Sequence, residues 1–139
     1  MASVEPSVFT RIIRGEIPCQ KVFENDHVLA FLDVNPLAEG HTLVVPKRQV
    51  EQLHELSEQE VCEIAKVLGR LGERITRAVG AEGYNILQNN GAVAGQVVPH
   101  VHFHIIPRRA GDGLGYRWNA RSASPEELAG VAERIRNMA

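Results

Sequence analysis

The stretch Gln96-Val97-Val98-Pro99-His100-Val101-His102-Phe103-His104-Ile105-Ile106-Pro107 decides how this chain is read. Side chains on an extended backbone alternate between faces with a period of two. A strand over 100–107 therefore carries His100, His102 and His104 on one face. Val101, Phe103 and Ile105 point the other way, into a core. Three of the six histidines of the protein stand on this one stripe, directly after a glycine-containing loop over 89–95.

Outward from that strand, further elements are legible. Ser57-x-x-Glu60 is a capping box, and Val61, Ile64, Leu68, Leu71, Ile75 and Ala78 step by three or four along one face. A long helix is expected there, ended by Gly80 and Gly83. Strands are predicted over 22–23, 27–34, 41–46 and 84–88, with Pro46 stopping the third. A short helix is predicted over 7–15, with Val8, Phe9, Ile12 and Ile13 on one side and Gly15 at its end. Ser124-Pro125-Glu126-Glu127 starts a last helix, with Leu128, Val131, Ala132 and Ile135 as its expected buried stripe. The expected fold is α+β: one antiparallel sheet of five strands, one long central helix, and short N- and C-terminal helices. All of 1–139 is read as a single domain, with 1–6 as an N-terminal extension, 108–123 irregular and 124–139 the C-terminal helix.

Composition excludes several classes. The 139 residues carry 15 Lys+Arg against 17 Asp+Glu, a net charge of −2, which argues against binding bulk nucleic acid but not against one small anion. No apolar run approaches the ~18 residues of a membrane span. The first residues have no basic region followed by an apolar stretch, so no secretory signal is expected. Cys19 and Cys62 stand far apart, which fits neither a disulfide framework nor a metal knuckle. The expectation is a cytoplasmic protein, with the nucleus also compatible.

Two chemistries suit a histidine stripe. His-x-His on a strand supplies two ligands to a zinc ion when a third comes from elsewhere. Alternatively, a neutral imidazole is a competent nucleophile toward phosphorus. The segment has no acidic residue and the chain few cysteines, so further metal ligands are scarce. Asn89, Gly91, Gly95 and Gln96 suit an anion site instead, because amides donate N–H groups and glycines let backbone N–H groups approach an anion.

At this point the chain resembles the histidine triad (HIT) family of nucleotide hydrolases and transferases. His100-Val101-His102-Phe103-His104-Ile105-Ile106 meets its His-φ-His-φ-His-φ-φ motif, φ being apolar. The pieces 12–18, 29–33, 40–47 and 95–96 match as well, so the resemblance runs from about Val8 to Pro107. The front half is most similar to the Hint-like branch, which hydrolyses nucleoside phosphoramidates. The piece 105–112 is also similar to the branch that hydrolyses dinucleoside polyphosphates.

The resemblance implies roles for matching positions. His102 is the nucleophile and forms a nucleotidyl-histidine intermediate. His100 orients it through its carbonyl, and His41 supports the triad from a neighbouring strand. His104, Asn89 and the Gly95-Gln96 backbone hold phosphate oxygens. Asp33 accepts from the ribose hydroxyls, and Phe9, Ile12, Phe31 and Val34 surround a purine. From residue type alone, Asp33 reads equally as a strand-end cap, His41 as a paired polar residue at a strand start, and Phe9, Ile12 and Phe31 as core. The implied partners are AMP or GMP and their conjugates, together with a second copy of the chain in a homodimer, with the long helix at the interface. Neither nucleic acid nor membrane is an expected partner.

Two positions depart from the family pattern. A hydroxyl-bearing residue is usual where this chain has Val97, which leaves only a backbone N–H there. Some members hold a structural zinc through positions that here read Ser7, Thr10 and Gln49, so no metal or other cofactor is expected. In its place, Phe9 and Ile12 are expected to hold the first helix by packing. The leading reading is a phosphoramidate hydrolase. Its alternatives are a dinucleoside polyphosphate hydrolase, a nucleotide-binding interaction protein with little catalysis, and a zinc protein.

Overall fold

A computed structural model describes residues 4–115 and 120–138. Parts of the expected N-terminal extension (1–3) and irregular segment (116–119), and the last residue, lie outside them. The elements run α1 (Val8–Ile13), β1 (Lys21–Glu24), β2 (Val28–Leu32), β3 (Thr42–Pro46), α2 (Glu58–Val79), β4 (Gly83–Gln88), β5 (Phe103–Arg108) and α3 (Pro125–Arg136). The five strands form one antiparallel sheet in the order β1-β2-β3-β5-β4, the architecture expected from the sequence.

The sheet has two unlike faces because its strands alternate. Val28, Ala30, Val44 and Ile105 point to α2 and pack against Ile64, Val67, Leu71 and Ile75. Leu29, Phe31, Leu43 and Val45 point the other way and pack against Phe9 of α1. The register sets His104 opposite Leu43 on β3 and Leu87 on β4, which puts it on the α1 face. α2 begins on the predicted capping box, with the Ser57 hydroxyl accepting from the Glu60 N–H and the Glu60 carboxylate from the Ser57 N–H. It ends at Gly80, whose left-handed backbone (φ 69°) closes the helix.

The structure corrects four expectations. The triad strand starts at Phe103, not His100, and runs on through Arg108. Pro99 and a bend at His100 hold 100–102 off the ladder, and the Val101 N–H donates to the Val50 carbonyl instead. Extended backbone needs no ladder to alternate, so Val101 still falls into the α2-side core. On α2, Val61 and Ala78 are exposed and Val67 takes a buried place. The helix touches the sheet along a narrower line than its apolar stripe. Leu128, Val131 and Ile135 of α3 are exposed and Ala132 is only half-buried, because helical periodicity defines a stripe without supplying a surface to cover it. A short 3₁₀ turn over Ala92–Ala94 stands in the segment expected to be a loop, and another over Leu53–Glu55 stands where no element was predicted.

Ile105→Ala is expected to cost about 2–5 kcal/mol in urea unfolding, the range for deleting a fully buried aliphatic side chain. Leu128→Ala, on the exposed stripe of α3, is expected to shift it by less than ~0.5 kcal/mol.

Candidate active site

A cleft of about 470 Å³ opens on the α1 face of the sheet. Of the residues singled out in the sequence, Phe9, Ile12, Phe31, Asp33, Val34, Gly95, Val97, His102 and His104 line it. Its apolar end also includes Val8, Ile17, Pro18, Cys19 and Leu43, which sequence reasoning did not assign. Ile17, Pro18 and Leu43 stand in the matched pieces 12–18 and 40–47, and Val8 and Cys19 adjoin Phe9 and Pro18 in the chain. Phe9 and Phe31 are both nearly fully buried and meet edge to face, so they are core and cleft wall at once.

His100 is fully buried and does not reach the cleft. Its Nε2 lies 2.9 Å from the Pro46 carbonyl, which can only accept, so Nε2 carries the proton. Burial holds the pKa of His100 below its ordinary value, so the ring is neutral and Nδ1 offers a lone pair. The carbonyl of His100 accepts from Nδ1 of His102 at 2.7 Å. The proton of His102 therefore sits on Nδ1. Burial lowers its pKa also, and a lone pair on Nε2 is left for the cleft.

A second chain of bonds gives His104 the opposite tautomer. The Leu37 N–H donates to Nδ1 of His41 at 3.0 Å. His41 is buried and neutral, so its proton is on Nε2, which lies 2.9 Å from Nδ1 of His104. His104 accepts there and carries its own proton on Nε2. Burial pushes the pKa of His104 down to about 4, and the nearby His102 and His41 add to the fall. The rings of His102 and His104 are 5.0 Å apart. The cleft thus holds an imidazole able to attack beside an imidazole able to donate a hydrogen bond.

The loop before the triad departs from its expected use. The Gly95 N–H donates to Ala92 and the Gln96 N–H to Gly91, so both amides are spent inside the loop. The Gln96 side chain is buried as a brace, accepting from the Gly91 N–H and donating to the carbonyls of Glu51 and Val98. The next amide, Val97, makes no hydrogen bond among the described residues, and its side chain is 90% exposed at the cleft. Asn89 lies beside Gly95: a Cβ built there would stand 3.3 Å from the Asn89 amide nitrogen, and φ of +99° favours glycine as well. Asp33 accepts from the Asn35 N–H through Oδ1, and its Oδ2 is 3.7 Å from Nε2 of His41.

Neither group of potential metal donors suits a cation. Asp33, His41 and His104 lie close together, but the two nitrogens that face each other share one proton, and Nδ1 of His41 is already engaged. Ser7, Thr10 and Gln49 surround His100 with neutral oxygens that are joined by hydrogen bonds, and zinc favours thiolate, imidazole or carboxylate. These bonds hold α1 in addition to the packing of Phe9 and Ile12.

A HIT domain model matches residues 14–111. The chain is 44% identical to the adenosine 5'-monophosphoramidase hnt1 of Schizosaccharomyces pombe over 129 residues, 92% of this chain and 94% of that one. It is 45% identical to the adenylylsulfatase HINT3 of Arabidopsis thaliana over 121 residues, 87% of this chain and 60% of that one. A crystal structure of a HIT family protein from Bacillus subtilis superposes with a TM-score of 0.91 at 38% identity, over 97% of this chain and 99% of that one.

The lowered pKa of His104 ties stability to pH. A ring that binds protons more weakly folded than unfolded makes the unfolded chain the stronger proton acceptor. Its contribution is complete above the ordinary value of 6.5 and is lost as pH falls toward the folded value of about 4. The urea midpoint is therefore expected to drop between about pH 7 and about pH 4, and to drop less in His104→Asn.

Proposed function

The chain belongs to the HIT domain family, and from that premise we propose that it is a hydrolase of purine nucleoside phosphoramidates, working in the cytoplasm through a nucleotidyl-histidine intermediate on His102. The observation that carries the reading is the hydrogen bonding of the two rings: Nδ1 of His102 faces the His100 carbonyl and Nδ1 of His104 faces Nε2 of His41, which leaves a lone pair on Nε2 of His102 and a proton on Nε2 of His104.

The purine fills the apolar end between Phe9, Ile12, Phe31 and Val34, and Asp33 accepts from the ribose hydroxyls. The Asn89 amide and the Val97 N–H hold phosphate oxygens. Nε2 of His102 attacks the α-phosphorus, the P–N bond breaks, and the departing amine nitrogen takes a proton from a water molecule while the Nε2–H of His104 donates a hydrogen bond at the reacting group. That water, now hydroxide, attacks the phosphorus, the P–N bond to His102 breaks, and the nucleoside monophosphate is released with His102 again neutral. Neutral rings suit both steps, since a protonated His102 has no lone pair to offer. Splitting one displacement into two lets a single preorganised site stabilise both. The relative from S. pombe, named a monophosphoramidase, favours the amine as leaving group.

His102→Ala is expected to lower turnover of an AMP–amine conjugate by at least about a thousandfold while leaving AMP binding largely intact. Mass spectrometry of the slowed His104→Asn enzyme is expected to find AMP bound to His102. Near-normal turnover in His102→Ala overturns the mechanism.

The proposal includes a homodimer. β4 ends the sheet at one edge, with Tyr84, Ile86 and Leu87 partly exposed along it, and Val61 of α2 is exposed too. Open edges of this kind are usually paired or covered. Light scattering is expected to give twice the mass of one chain at micromolar concentration.

A further inference from the structure

We propose that Ser7 is a positioning residue for His102, acting through His100. The proposal rests on the reading of His102 as nucleophile. Ser7 is buried at the N-cap of α1, and its Oγ lies 2.7 Å from Nδ1 of His100. The shortest bonds around it set one direction. The Thr10 N–H donates to Ser7 Oγ at 3.0 Å, so one lone pair is used. The Thr10 hydroxyl donates to Gln49 Oε1 at 2.6 Å, and the Ser7 N–H donates to the same oxygen at 2.7 Å. Gln49 is held in turn by its Nε2 donating to the Glu5 carbonyl. Two acceptors are left for the Ser7 proton, and Nδ1 of His100 at 2.7 Å is much the nearer, Thr10 Oγ1 standing at 3.3 Å.

That bond completes the pairing of a ring with no access to water. Pro46 fixes the protonated nitrogen, and Ser7 fixes the other. With both nitrogens held, the His100 ring cannot turn over or exchange tautomers without burying an unpaired polar atom. The carbonyl of the same residue then sets the ring of His102. An N-cap hydroxyl far from His102 in the chain is thereby two hydrogen bonds from its imidazole. Phe9, two residues after Ser7, packs edge-on against both rings, so α1 acts on His100 and His102 together.

The experiment compares Ser7→Ala, Ser7→Thr and Thr10→Val with the unaltered chain. It uses ¹⁵N NMR of the histidine rings and steady-state turnover of an AMP–amine conjugate. Thr10→Val removes the bond to Gln49 and the longer approaches of Thr10 Oγ1 to Ser7 Oγ and to Nδ1 of His100, 3.3 and 3.4 Å, and leaves the 2.7 Å Ser7–His100 link in place. Ser7→Ala is expected to mix the tautomers of His100 and His102 and to lower kcat by about tenfold to a hundredfold with KM little changed, as for a misplaced reacting group. Ser7→Thr restores both readouts, and Thr10→Val lowers Tm without moving either. Unmixed tautomers with unchanged kcat in Ser7→Ala overturn the proposal. So does a loss in Thr10→Val as large as that in Ser7→Ala, since it reports general loosening of α1. If the unaltered chain turns over no such conjugate, the proposed function fails by itself, and the ring tautomers still decide the role of Ser7.

Discussion

A buried imidazole must have both nitrogens paired, and the site is organised around how His100 meets that demand. It takes a carbonyl from the end of β3 at Pro46 and a hydroxyl from the N-cap of α1 at Ser7. Three segments distant in sequence are thereby tied at one ring that water does not reach. The segment 100–102 needs such ties because Pro99 and the bend at His100 take it off the sheet. Without a ladder, its orientation comes from the ring of His100, the bond from Val101 to Val50, and the packing of Phe9.

Two neighbouring histidines of the same chemical type end up with opposite protons because their partners differ. His102 faces a backbone carbonyl, which demands a proton on Nδ1. His104 faces His41, whose own proton is directed by a backbone N–H at Leu37. Desolvation keeps all of these rings neutral, since burial penalises the charged form. A charged ring would donate from both nitrogens and erase the distinction. The apolar wall of the cleft thus acts on the chemistry as well as on the shape of the ligand it accepts.

The loop over 91–97 illustrates the limit of reading roles from a motif. Gly95 and Gln96 are where the resemblance places them, beside the triad, yet their amides close the loop on itself. The Gln96 side chain is spent bracing the turn. The N–H that remains open belongs to Val97, where the resemblance implies a hydroxyl-bearing side chain. A backbone donor is indifferent to that change, so losing a hydroxyl there does not leave the site without a donor.

The sequence by itself determined which faces alternate, where the long helix starts and stops, and that three histidines gather before Ile105. Those features are local, being set by the two-residue and 3.6-residue periods, the Ser57 capping box and the left-handed turn at Gly80. It also marked Phe9, Phe31, Asp33, His102 and His104, which do meet in one cleft. Only the tertiary structure decided that His100 is buried apart from that cleft, that Cys19 and Leu43 join its wall, and that α3 leaves its stripe exposed. It alone decided the protons of His41, His100 and His104 as well. A tautomer depends on whether the atom about 3 Å away is a donor or an acceptor; for His102 that atom is the carbonyl of His100, two residues away, but for His100 and His104 it belongs to Ser7, Pro46 and His41, all distant in the chain.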